Sequence, residues 1–233
     1  MRLILKALLA SVFLISAIPA QETSREQSLR KYDEIRAQMA ELEGDILRPS
    51  RADLASACEQ GLRAIRLLPR EKYENALKVR GGGAYYSFAR STHEYGLGSD
   101  IELQQGYLSV GFAGADYGFI VDLGDVGLNA IVKNLPAVQF LAHYKPPRGE
   151  EAIRSEQHRS RGFEANGSTY KNRVPAVVGH SYALRSINFS RSDVLVVFRI
   201  VREDPDGSLV IFWNLLDTYG VREIERTAVV ILQ

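Results

Sequence analysis

The chain has one cysteine, Cys58, in 233 residues. One cysteine closes no intramolecular disulfide and builds no cysteine-based zinc or iron–sulfur site. Leu54, Ala55, Leu62 and Ile65 surround it at helical spacing, which suggests a buried thiol. Histidine is scarce as well. His93, His143, His158 and His180 are the four, and no pair has i,i+4 or HExxH spacing. The sequence therefore points to no metal site and no cofactor. Gly81-Gly82-Gly83 is not a nucleotide loop, because no Gly-Lys-Ser/Thr ends it and no GxGxxG opens a helix. A basic surplus is missing too: 29 basic residues face 28 acidic ones, a net charge of +1. Nucleic acid is not an expected partner. The stretch from Lys145 to Arg173 is the one local basic patch.

Long apolar runs are confined to the start. Arg2 and Lys6 precede a nearly unbroken apolar stretch, Leu8 to Ile18, which ends in Ile18-Pro19-Ala20. That is the pattern of a secretory signal peptide over 1–20, and the apolar run is short for a membrane span. Cleavage after Ala20 would leave a chain with 27 basic and 28 acidic residues. No later run is long enough to span, so no transmembrane segment remains after signal removal. The expected location is the periplasm or outside the cell.

What is present begins with the stretch from Asp193 to Leu216. Two apolar runs, Val194 to Val201 and Leu209 to Leu216, flank a polar turn with Asp206-Gly207. This is a hairpin signal. Apart from Arg199 and Asn214, both runs are apolar on both alternating faces, which marks strands covered on two sides. The same period of two recurs in Ile101 to Gln105, Tyr107 to Ala113 and Tyr117 to Leu123. Tyr182 to Phe189 leads into the hairpin, and Val221 to Leu232 suits a last strand.

The front of the chain has a different period. Leu29, Tyr32, Ile35, Met39, Leu42 and Ile46 recur at three and four, so 21–46 is expected to be a helix. Its thin stripe suits packing on the domain, or pairing with a second copy as a short coiled coil. A second helix is expected from Arg51 to Leu68, between Pro49-Ser50 and Pro69. Leu135 to Tyr144 fits a short helix or a strand. The polar insertion 145–175 looks least structured, with a solvated helix near Glu150 to Arg161 and a turn at Asn166-Gly167. The organisation is therefore a helical segment over 21–80 and a β-rich domain over 81–233. The fold class is α+β: amino-terminal helices, then a largely antiparallel sheet that could curl into a half-barrel.

For chemistry the sequence offers little. Arg90-Ser91 followed by Ser99-Asp100-Ile101 echoes Arg185-Ser186 followed by Ser192-Asp193-Val194. A duplicated strand-loop-strand unit across 90–103 and 185–196 would place both bends on one rim. Arg90, His93, Glu94 and Asp100 would then approach Arg185, Asn188, Arg191 and Asp193. The weak catalytic candidates are His93, Glu94, His180 and Asp193. The ligand-binding candidates are Arg90 and Arg185 on the rim, and the small residues Gly111, Gly114 and Gly118 as a groove. The GxSxG elbow is absent, since alanine follows His180-Ser181-Tyr182 where glycine belongs. Two functions stay open. One is an exported noncatalytic protein that binds a lipid, a small ligand or an envelope protein. The alternative is an exported hydrolase with a polar site at the sheet rim.

Overall fold

The computed structural model describes residues 24–96 and 98–225. The leader expected over 1–20 lies outside the described residues, as do 226–232 of the expected last strand. Contacts divide the chain into an amino-terminal unit ending at Ala40 and a larger unit from Glu41.

Helix α1, Ser24–Leu47, forms where the period of three and four predicts it. None of its residues is buried. Its six stripe residues are all exposed, from 38% at Ile46 to 63% at Leu42. Helix α2, Arg51–Glu59, starts with a capping box: Asp53 N–H donates to Ser50 Oγ, and Ser50 N–H donates back to the Asp53 carboxylate. The expected continuation to Leu68 does not occur. Gly61 takes a left-handed φ of +68°, and Leu62 N–H closes back onto Ala57 O. A glycine past the last turn ends a helix because it has no Cβ to strain that conformation. The chain then extends as β1, Arg63–Leu67. The buried face of α2 is Asp53 and Ala57, so Cys58 points outward and is exposed, not buried as its spacing suggested.

A short helix α3, Arg70–Tyr73, leads to β2, Tyr85–Tyr86. Strands β3, Ile101–Gln104, β4, Tyr107–Ser109, and β5, Tyr117–Gly124, follow. After a 3-10 turn at Leu128–Ala130, α4 spans Pro136–His143 and settles that stretch as helix. The polar insertion is more ordered than its composition suggests. It holds α5, Glu150–Arg159, the hairpin β6, Phe163–Ala165, with β7, Ser168–Tyr170, and β8, Arg173–Pro175. Asn166 and Gly167 both have positive φ, 50° and 74°, as the tight turn between paired strands requires. The long strands close the series: β9, Ser181–Asn188, β10, Ser192–Glu203, and β11, Leu209–Thr218. Residues 221–224 form no strand, and Glu225 makes an isolated parallel bridge to Gly149.

These strands make an open α+β fold. The main sheet has the order β1-β11-β10-β9-β5 and is antiparallel at each pairing. A smaller antiparallel sheet has the order β2-β3-β4-β8. Strand β10 is central, and its two faces go to two cores. Val194, Val196, Phe198 and Ile200 join Phe88, Ile101, Leu103, Leu108 and Val174 between the two sheets. Leu195 and Val197 join Phe119, Val138, Leu141, Ile153 and Tyr170 under the helices and the β6–β7 hairpin. Trp213 faces the first core and Phe212 the second, as neighbours on a strand must.

The layers pack closely at Gly118. A Cβ there would collide with the Arg185 carbonyl oxygen and meet Val110 Cγ2 at 2.6 Å. The oxygen belongs to the paired backbone of β9 and cannot swing aside. Gly118→Ala is expected to destabilise the protein by about 1–3 kcal/mol through overpacking, read as a lowered midpoint in denaturant unfolding with an unchanged slope.

Candidate functional site

The β9–β10 bend gathers a cluster of buried polar residues, and the strand period sorts them onto opposite faces. Arg185 and Asp193 face the helical layer. Arg185 Nε donates to Asp193 Oδ1 at 2.6 Å and Nη2 to Oδ2 at 3.0 Å, with both side chains at most 1% exposed. Arg185 Nη1 donates to Leu141 O at 3.0 Å, at the end of α4. Its guanidinium carbon lies 3.1 Å from the centroid of the Tyr219 ring. Arg222 approaches the same carboxylate at 3.6 Å. The pair is thus fully satisfied and out of reach of a ligand.

On the opposite face, Asp100 is buried against the bend. Its carboxylate accepts from Asn188 Nδ2 and from Phe88 N–H, each at 2.8 Å. Asn188 also donates to Ser192 Oγ. Burial pushes Asp100 up to about 6, against the lowering effect of its hydrogen bonds from Ser186, Phe88, Ala89 and Asn188. Of the residues the echo would bring together, Asp100 meets Asn188, while Asp193 lies on the other side of the sheet.

The remaining candidates lie in separate places. His93 Nε2 is 2.8 Å from Arg66 O. Burial holds its basicity below the ordinary histidine value, and the carbonyl, which can only accept, makes Nε2 the donor of this contact. His93 and Glu94 line a cleft of about 510 Å³ with Leu47, Ile65 and Tyr86. His180 Nδ1 lies 3.0 Å from both oxygens of Asp122 at the start of β9. The adjacent Ser181 hydroxyl is buried and donates to Val126 O at 2.5 Å, so it is not aimed at the imidazole. Arg90 is exposed. Gly111 has a φ of +83°, and a Cβ there would meet Tyr117 Cα at 2.7 Å. It serves a turn and a close backbone approach, as Gly118 serves sheet packing. Gly114 lines a small cleft of about 240 Å³ with Ile153, Gln157 and Ile224.

A larger cleft was not visible in the sequence. It lies where the helical layer parts between α2 and the 3-10 turn, over β10 and β11, with a volume of about 640 Å³. Leu62, Leu128, Val201 and Phe212 supply apolar surface. Its rim is charged in matched pairs. Arg202 grips Asp53 with two hydrogen bonds of 2.7 and 2.8 Å. That contact, first among several, holds the Asp53 carboxyl below its ordinary value. Arg199 Nη2 meets Asp125 at 2.6 Å, and Nη1 is fixed by Val126 O at 3.1 Å. The only sequence signals were Arg199 interrupting an apolar strand and Asp53 in the first turn of α2. Among the described residues no group of three or more His, Cys, Asp or Glu could hold a metal ion, and no helix is long and apolar enough to cross a membrane.

No family model, curated protein or solved structure matches this chain. The class that fold and site define is an open α+β domain with an amphipathic cleft beneath a gap in its helical layer.

Asp193→Ala should cost about 3–5 kcal/mol, because it leaves the Arg185 guanidinium buried without its counter-charge. The double variant Arg185→Met/Asp193→Leu should recover much of that loss, since no charge then stays buried. Chemical denaturation of the three proteins checks both statements. Asp100 should give stability an unusual pH slope. Its folded state binds a proton below about pH 6, whereas an unfolded aspartate does so near 4. Its contribution is therefore greatest at low pH, falls as pH rises through that window, and is constant above it. The stability gap between wild type and Asp100→Asn should be larger at the acid end of the window than at neutral pH; an equal gap throughout would contradict this.

Proposed function

We propose that this is an exported, noncatalytic binding protein whose cleft takes a small amphipathic ligand, lipid-like or otherwise. The observation that carries the reading is the cleft at α2, β10 and β11. It combines an apolar floor with a charged rim, the composition that small-molecule sites favour. Both arginines of the rim already have carboxylate partners, so the rim is close to neutral. A ligand with a large net charge would have to break those pairs. Export is supported by the leader pattern in 1–20. The exposed stripe of α1 supports a second role, pairing with another copy through residues 21–46 or with an envelope partner. Nothing in the charge balance favours nucleic acid.

One observation favours a hydrolase as the second reading: the His180–Asp122 pair, with each side chain about one-third exposed. A carboxylate on Nδ1 fixes the tautomer that leaves Nε2 able to accept a proton. A water would then have to serve as the nucleophile.

Native mass spectrometry of the protein from the exported fraction separates the two. An adduct is expected, and Val201→Glu, which places a charge on the cleft floor, should reduce its occupancy by about tenfold. An adduct retained in full by that variant would remove the cleft from consideration. Hydrolytic turnover of ester or glycoside substrates that His180→Ala abolishes would replace the binding reading with the enzymatic one.

A further inference from the structure

We propose that α1 pairs with α1 of a second copy in an antiparallel two-helix coiled coil, centred between Arg36 and Gln38. The proposal rests on the reading of α1 as a pairing helix and adds its direction and register. Tyr32, Met39 and Ile46 are spaced by seven, and Ile35 and Leu42 fall between them at the second seam position. That is the a/d pattern of a coiled coil, and all five side chains are exposed. The helix carries four basic and six acidic residues. An anionic lipid surface would select the opposite balance, so a second helix suits this face better than a membrane.

The flanking charges choose the direction. In a parallel pair, Lys31 of each copy would face Arg36 of the other, a like-charge contact made twice. In the antiparallel pair Tyr32 packs on Leu42 of the second copy, Ile35 on Met39, and Ile46 beside Ser28. Lys31 then faces Asp45 of the second copy, an opposite-charge contact made twice, against a single Arg36–Arg36 approach at the two-fold axis. Asp45 is available for this, as its side chain is 63% exposed and pairs with Arg48 at the surface. Glu43, the other acidic flank, is engaged by the Lys78 backbone N–H.

Sedimentation equilibrium of the exported chain should show a reversible dimer. Leu42→Asp, at an exposed position, should weaken it by about tenfold or more. Lys31→Glu decides the direction by the sign of its effect. It should weaken an antiparallel dimer by setting Glu against Asp45, and it would strengthen a parallel one by setting Glu against Arg36. In a Cys58→Ser background, chains with Tyr32→Cys and chains with Leu42→Cys should form a disulfide when mixed and none alone. A dimer in which each cross-links to itself would overturn the antiparallel register and leave the pairing reading intact. A monomer at all concentrations, unchanged by Leu42→Asp, would overturn both.

Discussion

Strand β10 carries apolar side chains on both faces, and burying both requires a layer on each side. The smaller sheet covers the face of Val196 and Phe198, and the helices with the β6–β7 hairpin cover the face of Leu195 and Val197. Each fully buried side chain of this kind contributes about 1.5–3 kcal/mol, so neither layer can lift without exposing several of them. The three-layer order follows from this one strand. So does the need for small residues where layers meet, as at Gly118. The helical layer, assembled from short pieces, leaves the gap that becomes the cleft.

A cluster of buried polar groups sits at the β9–β10 end of that sheet, and each face resolves it differently. On the helical side Arg185 and Asp193 neutralise each other, and Arg185 also ties β9 to the Leu141 carbonyl. Tyr144 extends the same logic: it donates to Glu156 at 2.7 Å and meets the Tyr117 hydroxyl at 2.9 Å, joining α5 to β5. On the other side Asp100 has no cationic partner among the described residues. It relies on donors, and burial raises its proton affinity. A buried ion pair of this kind is weak evidence for added stability. Here it fixes which helix sits over which strand, because Arg185 is satisfied only with α4 in place.

The hairpin, the strand period and the long helix were legible because each repeats one simple rule over many residues. The β10 and β11 runs announced two covered faces directly. The end of α2 was not legible in the same way. Leu54, Cys58, Leu62 and Ile65 keep a helical period through Gly61, and only the glycine's backbone freedom turns Arg63–Leu67 into an edge strand of the main sheet. Segment 145–175 misled through composition. Its strands are three residues each, too short to show a period, and α5 buries only Ile153. Of the residues that the echo would gather on one rim, Asp100 and Asn188 meet. The echo could not assign faces, because one residue of shift moves a side chain across the sheet. The cleft was hidden for another reason: its walls come from α2, the 125–128 turn and two strands, distant in sequence.

Arg199 and Val201 explain why the cleft stays where the helical layer parts. They occupy the same face of β10 as Leu195 and Val197, yet the last two are sealed under apolar side chains while Arg199 keeps its charge at the rim, held by Val126 O and Asp125. A helix laid across this part of the sheet would have to bury that guanidinium. Arg202 and Asp53 set the other wall in the same way, because α2 is anchored by a carboxylate that needs an arginine beside it. Charge therefore limits how far the apolar layer can spread, and what remains between the two pairs is an apolar floor with neutralised edges. The same division governs α1 in reverse. There apolar side chains stand on an exposed face between charged flanks, and the charges determine the direction in which that face can be covered.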